Sequence, residues 1–502
     1  MNKFTKNIGV AFITRVIVIL SGIIAQRYVL VSFGSSINGL TSTISQIMIY
    51  VELLEAGLGT ASLQALYKPL ATGDLAGVSG IYNATARMYR NIGLVFVGIW
   101  AVISFAMPFT VDMEGEKLTY WLVCGIVLLS GVGHVLRYMF MGKWTVLIQA
   151  DNRIYYMNII DTVTTVLNCV VKVWMINEGF DIISVLSLNL VWSFARLILL
   201  RIYVKKNFGY LDPKIPPNYE ATKKRKNVMV HQIVGLVTNH TDVLILTVFD
   251  SLKAVSVYSI YSYVYNNIQN IMTTTFSQAP AATFGRLYAA KDQRLNRYYR
   301  SYEVFFFTIL HVVLVTALLM TTPFVRLYTS GVTDVNYIDE MLVILFVLVQ
   351  FFNMVRIPSL IMVNAGGFFA ETQTGAIIEA TIGIGVSIPL FFVMGMKGLL
   401  IGKIVSLLYR SIDIIVYVYR HVLKMPLWEV GMILVDHVGI GLLAIFAYRE
   451  FLQPQITSWT QWLMWSGITF LIVTGVYAVN LFVFYRSYIK DALQLIRHKR
   501  GA

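Results

Sequence analysis

The sequence has few charged residues and few cysteines for its length. Only 13% of the 502 residues are charged, which excludes an ordinary soluble protein of this size. Its two cysteines, Cys124 and Cys169, both lie in apolar segments, so neither a disulfide framework nor a metal site is expected. The sequence also lacks a Walker-type phosphate loop, and we expect neither ATP hydrolysis nor a cofactor.

Apolar residues make up 57% of the chain, and the mean hydropathy is +0.68. Apolar runs long enough to cross a bilayer recur along it, and a backbone in lipid must satisfy its own hydrogen bonds. We therefore predict an all-α polytopic membrane protein with about 14 transmembrane helices. The predicted spans are 8–31, 39–60, 91–110, 118–141, 154–175, 182–203, 228–249, 254–280, 303–322, 338–362, 370–394, 398–419, 427–448 and 459–484.

The lysines and arginines are distributed unevenly between the two sides. With the N-terminus placed in the cytoplasm, 27 of the 40 fall in inner segments and five in outer segments. Cytoplasmic loops are enriched in Lys and Arg, so both termini are predicted to be cytoplasmic. This topology signal explains most of the net charge of +14, and a nucleic-acid partner is not expected.

The remaining eight basic residues lie inside apolar segments. A basic group at the bilayer centre costs about 2.5–3.5 kcal/mol on insertion scales, so it usually faces water or a partner. Several such groups predict a positive cavity and an anionic cargo. The eight are Arg15, Arg27, Arg137, Lys172, Arg196, Arg356, Lys403 and Arg410.

Short matches between the two parts of the chain suggest an internal repeat. Phe33-Gly34-Ser35 matches Phe249-Asp250-Ser251, and Tyr89-Arg90 matches Tyr299-Arg300, in the same topological order. Same-sense repeats of this kind predict two facing bundles. The predicted domains are a six-helix bundle (1–205), a basic linker (206–227), a second six-helix bundle (228–424) and two extra helices with a basic tail (425–502).

One stretch carries a family resemblance, Tyr50-Val51-Glu52-Leu53-Leu54-Glu55-Ala56-Gly57-Leu58-Gly59-Thr60-Ala61. With the span pattern and the two halves, it resembles the multidrug/oligosaccharidyl-lipid/polysaccharide (MOP) exporter superfamily, over the whole chain. Fourteen spans resemble the polysaccharide-biosynthesis flippases of that superfamily. The resemblance implies two bundles in a V that move a polyprenyl-pyrophosphate-linked oligosaccharide across the bacterial cytoplasmic membrane by alternating access.

The candidate substrate-binding residues are basic because Arg and Lys bind pyrophosphate oxygens. They are Arg15, Arg27, Arg356, Lys403 and Arg137. For Arg15 and Arg27 the alternative is an ion pair with Glu52 or Glu55, and for Arg137, which shares a helix face with His134, it is snorkelling to the interface. Asp413 is placed to neutralise Arg410, and Pro358 predicts a helix break beside Arg356.

Buried carboxylates raise the question of ion coupling. The candidates are Asp242, Glu55 and Glu379, and Asp242 lies in a polar cluster with Thr238, Asn239 and His240. Pairing with the buried bases is the alternative. The implied partners are the lipid-linked oligosaccharide, membrane lipids, an H⁺ or Na⁺ coupling ion and a polysaccharide polymerase. Rival functions are a drug or cation antiporter of the same superfamily and a membrane glycan polymerase or ligase.

Overall fold

The computed structural model describes residues 3–55, 57–111, 118–219 and 226–489, with the side chains of 3–12, 54, 226–234, 237–239 and 278–279 left out. The described residues form helices and connecting turns without a strand, so the all-α prediction is confirmed. The helices are α1 Lys3–Val51, α2 Leu58–Thr72, α3 Leu75–Ala106, α4 Tyr120–Leu136, α5 Gly142–Ala150, α6 Ile154–Asn177, α7 Ile182–Asn207, α8 Lys226–Phe249, α9 Leu252–Ala289, α10 Leu295–Tyr328, α11 Glu340–Val355, α12 Ile357–Gly366, α13 Phe369–Met394, α14 Met396–Tyr417, α15 Leu427–Phe451 and α16 Trp459–Phe484.

Ten helical stretches in the described part of the chain are long and apolar enough to cross a membrane, so the protein is a multi-pass membrane protein. The count of fourteen is not confirmed. The first stretch, Ile13–Val51, joins two predicted spans across a kink at Gly34, whose φ of 85° is accessible to glycine. Helix α14 is not among the ten, and it carries Lys403, Arg410 and Asp413.

The predicted second span ends nine residues early. Helix α1 stops at Val51, a 3₁₀ turn follows over Glu52–Glu55, and α2 begins separately at Leu58. Gly57, just before α2, has a φ of 75°, a left-handed conformation that favours glycine. This glycine of the stretch that carries the family resemblance therefore lies at the start of a separate helix.

The chain divides into two compact units. Unit 1 comprises residues 1–257 with 331–335, and unit 2 comprises 258–330 with 336–502. The division falls inside α9, between Val257 and Tyr258. The predicted six-helix domain boundaries stay a prediction.

Unit 1 is held together by close helix packing and by polar contacts between helices. Helix α1 packs on α6 and α8, and α4 packs on α7. A Cβ at Gly39 would lie 1.8 Å from the carbonyl oxygen of Leu252, so only glycine permits this approach. Nearby, the Asn38 amide donates to Ser256 Oγ at 2.6 Å, which fixes the second half of α1 against the start of α9.

In unit 2, α13 and α14 form a tight pair and α10 packs against α11, α15 and α16. A Cβ at Gly402 on α14 would lie 2.4 Å from the Cα of Ser387 on α13, so the two backbones nearly touch. The predicted break at Pro358 is present, because α11 ends at Val355 and α12 begins at Ile357. Proline lacks the N–H that a continuous helix would need there. The break places Arg356 at the junction of two helices.

Candidate substrate cavity and buried charges

Unit 1 contains a cavity of about 600 Å³. Its wall is formed by the two halves of α1 together with α4, α6 and α7. This volume falls in the range of small-molecule binding sites. The charged and polar side chains that line it are Ser21, Gln26, Asn38, Thr41, Ser45, Glu52, Ser130, His134, Thr165, Asn168, Lys172 and Asn189.

Helix α6 presents a polar stripe to this cavity. Thr165, Asn168 and Lys172 follow each other at three- and four-residue spacing, so they share one helix face. Among the described residues, none forms an ion pair with Lys172. Lys172 thus lines the cavity without a carboxylate beside it in the described part of the chain.

The cavity's one carboxylate, among the residues that the structure describes, is already neutralised. Glu52 Oε1 accepts a hydrogen bond from Arg137 Nη1 at 3.0 Å and lies 3.3 Å from His134 Nδ1. Both bases therefore contact one carboxylate, as expected for residues on one helix face. Because Glu52 is paired in this way, a protonated Lys172 gives the described wall of the cavity a net positive charge.

Carboxamides connect the rest of the wall. Gln26 Nε2 donates to Asn38 Oδ1 at 3.3 Å, across the Gly34 kink. On the opposite side, Asn168 Nδ2 donates to Asn189 Oδ1 at 3.1 Å. Carboxamide groups both donate and accept hydrogen bonds, as do the hydroxyl groups of a sugar. The wall therefore has the chemistry to bind a polar, hydroxyl-bearing group.

The two predicted bases of α1 do not line this cavity. Arg15 is exposed and Arg27 is half-buried. Of the two carboxylates considered as their partners, Glu52 pairs with Arg137, and Glu55 accepts a hydrogen bond from the Tyr89 hydroxyl. A role of Arg15, Arg27 and Arg137 in substrate binding stays a prediction.

A buried charge network occupies unit 2. Arg356 Nη1 contacts Glu379 Oε1 at 2.7 Å, and Arg410 Nε lies 3.5 Å from Glu379 Oε2. Arg410 also binds Asp413 at 2.5 Å, as the three-residue spacing predicts. Arg356 receives a further acceptor from Asn353 Oδ1 at 3.0 Å. Glu379 thus pairs with two bases, which was the alternative to ion coupling, and its coupling role stays a prediction.

Lys403 lies two turns before Arg410 on α14 and is 7% exposed. The seven-residue spacing places both bases on nearly one helix face, and both are buried. The described carboxylates near this part of α14 are Glu379 and Asp413. Unit 2 therefore buries a second concentration of basic groups.

Asp242 is buried in unit 1, near the end of α8. Its neighbours form hydrogen bonds to α1: Tyr50 with Thr241 at 2.8 Å, and His240 Nδ1 with Gln46 Oε1 at 2.8 Å. The side chains of the predicted cluster members Thr238 and Asn239 lie outside the described residues. Asp242 thus lies next to two residues that form polar contacts between α8 and α1.

Sequence reasoning does not single out two residues that stand out in the structure. Lys172 is one of the eight basic residues in apolar segments, but its position near the end of a predicted span suits the outer surface equally. The polar stripe of α6 is the signal that could have assigned it to the cavity. Glu303, 1% exposed, accepts hydrogen bonds from the hydroxyls of Tyr299, at 3.3 Å, and Tyr419. Glu303 is the first residue of the predicted span 303–322, so the sequence does not indicate that its carboxyl group is buried.

The geometry defines a class, the polytopic α-helical membrane proteins with a polar cavity inside the helix bundle. No protein-family model matches the sequence, and no curated protein matches it. Solved structures do match. The lipid II flippase MurJ in an inward closed conformation has a TM-score of 0.66 at 12% identity, covering 97% of this chain and 100% of that chain.

Two multidrug transporters are similar as well. A multidrug resistance MATE family transporter of the MOP superfamily, in an inward-facing conformation, has a TM-score of 0.62 at 14% identity over 88% of this chain and 99% of that chain. A point mutant of the Vibrio cholerae MATE transporter VcmN has a TM-score of 0.55 at 13% identity, over 85% and 98%. This chain has the fold of the MOP exporters, and the predicted resemblance is confirmed at the level of the fold.

Proposed function

We propose that the protein is a flippase that moves a polyprenyl-pyrophosphate-linked oligosaccharide from the inner to the outer leaflet of the bacterial cytoplasmic membrane by alternating access. Both termini face the cytoplasm in this proposal, following the distribution of Lys and Arg. The observation that carries it is the Lys172 ammonium on the wall of the unit 1 cavity, which no described carboxylate pairs.

The charge of the cavity favours an anionic headgroup. A cation partly removed from water is stabilised when an anion enters and pairs with it. Glu52 does not cancel the charge of Lys172, because Arg137 and His134 already contact that carboxylate. A pyrophosphate supplies several acceptor oxygens for Lys172.

The uncharged part of the wall favours a sugar beside that anion. Gln26, Asn38, Asn168 and Asn189 offer amide donors and carbonyl acceptors around the same cavity. Ser130 and Thr165 add hydroxyl groups. A volume of about 600 Å³ suits the headgroup portion of the substrate, whereas the polyprenyl tail stays in lipid.

The main rival is a drug or cation antiporter, because the fold is shared with multidrug transporters. A cavity for cations would be dominated by unpaired carboxylates. Here the only lining carboxylate is Glu52, which is paired, among the residues that the structure describes. The charge of the wall therefore favours the flippase over the antiporter, and the fold supports a transporter over a polymerase or ligase.

The proposal is tested by comparing Lys172→Ala, Lys172→Arg and the control Lys68→Ala in proteoliposomes. Lys68 is exposed on α2 and does not line the cavity. A lost charge-assisted contact of about 1.5–3 kcal/mol should slow flipping of a labelled polyprenyl-pyrophosphate oligosaccharide at least about tenfold in Lys172→Ala. Lys172→Arg should keep most of the rate, and Lys68→Ala all of it.

Flipping at the wild-type rate in Lys172→Ala would refute the role of this cavity in gripping the anion. Folding of each variant is compared by its thermal unfolding midpoint in detergent. A lower rate in Lys172→Ala at an unchanged midpoint separates a binding defect from a folding defect.

A further inference from the structure

Two histidines meet inside unit 2, in the middle of three packed helices. His311 lies on α10 and His437 on α15, with 5% and 1% of their surfaces exposed. Their ring centroids are 5.5 Å apart. Both histidines lie well inside apolar spans, Leu295–Tyr328 and Leu427–Phe451. Ionisable groups at such positions are rare and commonly serve proton or ion pathways.

The hydrogen bonds fix which ring nitrogen is free to titrate. His311 Nδ1 lies 2.7 Å from the carbonyl oxygen of Phe307, and His437 Nδ1 lies 2.8 Å from that of Ile433. A carbonyl oxygen only accepts, so each Nδ1 carries a hydrogen. An additional proton must therefore bind at Nε2 of either ring.

The Nε2 of His437 has a partner that suits both of its charge states. Thr308 Oγ1 lies 3.0 Å from this nitrogen and 2.9 Å from the carbonyl oxygen of Val304. When His437 is neutral, the threonine hydroxyl donates to Nε2. When His437 is protonated, Nε2–H donates to the hydroxyl oxygen, and the hydroxyl donates to Val304. When Nε2 gains or loses a proton, rotation of the single Thr308 O–H bond thus keeps both groups hydrogen-bonded.

A carboxylate lies beside this site. Asp436 Oδ2 is 3.6 Å from His437 Nδ1. The same oxygen accepts hydrogen bonds from Asn480 Nδ2 at 2.8 Å and from the Tyr485 hydroxyl at 3.0 Å. One negative charge next to the pair balances one added proton, whereas two cationic rings 5.5 Å apart would repel each other.

The other elements packed against the pair add no further charge among the described residues. Helix α16 contributes Tyr477, whose hydroxyl donates to the carbonyl oxygen of His437 at 2.7 Å. Helix α11 contributes the ring of Phe351 against His311. The Nε2 of His311 is buried and has no hydrogen-bond partner in the part of the chain that is described. The lone pair of this nitrogen is a second position in the cluster at which a proton can bind.

The carboxylate at the edge of the cluster is partly exposed. The side chain of Asp436 is 30% exposed, while His437 beside it is 1% exposed. Tyr485, bonded to Asp436, immediately follows the last residue of α16. The partly exposed carboxylate of Asp436 thus lies between the buried His437 ring and Tyr485 at the end of α16.

We infer that His437, with His311, Asp436 and Thr308, forms a binding site for a single proton inside unit 2. The proton is taken up from water by the lone pair of His437 Nε2 and is released from the same atom. The inference rests on the geometry of this cluster and is independent of the proposed substrate. Proton binding at this site gives the protein a means of coupling to a proton gradient.

The test is a proton titration of the full-length protein, labelled at histidine with ¹³C and ¹⁵N, in lipid nanodiscs. The resonances of His311 and His437 are identified by their loss in His311→Gln and His437→Gln, and exposed His421 serves as an internal reference. Between about pH 8 and pH 4, one proton should bind to the pair in the wild type.

The variant Thr308→Val removes a hydroxyl whose hydrogen bond with protonated His437 is charge-assisted and therefore stronger than its bond with the neutral ring, so it should weaken proton binding on the order of tenfold. Thr308→Ser should restore it. Thr316→Val is the matched control, because Thr316 makes the same bond to the carbonyl four residues earlier on α10, at 2.8 Å, without a histidine partner among the described residues. It should leave the titration unchanged.

Two results would overturn the inference. In the first, both histidines stay neutral over the whole pH range. In the second, one titrates but Thr308→Val and Thr316→Val shift it equally. Neither readout involves transport, so loss of the proton site and loss of the flippase activity are measured separately.

Discussion

Replacing Glu379 with glutamine leaves two buried guanidinium groups without the carboxylate that they share. Arg356 and Arg410 contact opposite oxygens of Glu379 at 2.7 and 3.5 Å. The three side chains are only 7–11% exposed. Water therefore cannot replace the lost carboxylate.

The expected cost follows from this burial. Removing one partner of a buried ion pair destabilises a protein by about 3–5 kcal/mol, because an uncompensated charge is left behind. Arg410 keeps Asp413 and Arg356 keeps Asn353 as partners. We therefore expect Glu379→Gln to cost about 3 kcal/mol, at the lower end of that range.

The matched control is an exposed ion pair in the same unit. Lys397 Nζ lies 2.8 Å from Asp339 Oδ2, with the two side chains 41% and 31% exposed. Exposed pairs contribute about 0–1 kcal/mol, so Lys397→Ala should be nearly neutral. The free energies of unfolding are measured by titration with a denaturing detergent in mixed micelles.

A double variant separates the charge effect from a packing effect. Adding Arg356→Met to Glu379→Gln removes one uncompensated charge and should recover part of the lost stability. The reasoning is refuted if Glu379→Gln costs no more than Lys397→Ala, or if the double variant is the sum of its single changes.

Two further outcomes are expected. Burial raises the pKa of Asp339, but a hydrogen bond from Lys397 and the amides of Leu342 and Met341 lower it below 3.8 overall. A carboxyl group whose pKa is lower in the folded state adds stability above its unfolded pKa, and this stability is lost as the pH falls through the folded pKa. Asp339→Asn should therefore reduce the loss of thermal stability below about pH 4. The same loss of the unfolding midpoint in the variant and the wild type would contradict this. Gly39→Ala places a Cβ 1.8 Å from the carbonyl oxygen of Leu252, so it should lower the unfolding midpoint, whereas Gly235→Ala, whose Cβ has no neighbour within 4 Å, should not.

Local rules predicted the features that depend on short spacing. The contact of Arg410 with Asp413 follows from a three-residue step on one helix, and the break at Arg356 follows from Pro358. The apolar runs predicted the helices because a backbone in lipid has no alternative. The helix ends were less predictable, since α3 and α10 begin before their apolar parts do.

Contacts between distant segments could not be predicted in this way. Glu52 pairs with Arg137, 85 residues away in the chain. Glu379 meets Arg356 and Arg410 because α13 packs against α14 and also contacts α12, which begins beside Arg356. The assignment of Lys172 to a cavity required knowing which face of α6 turns inward. In each case the residue type is read from the sequence, whereas its surroundings depend on how the helices pack.

The central claim concerns the chemistry of the cargo, and the wild-type protein tests it directly. Reconstituted in liposomes under an imposed membrane potential and pH gradient, it should flip a labelled polyprenyl-pyrophosphate oligosaccharide and should not transport a cationic dye. The reverse result, with dye transport and no movement of the lipid-linked sugar, would contradict the account and establish the antiporter in its place.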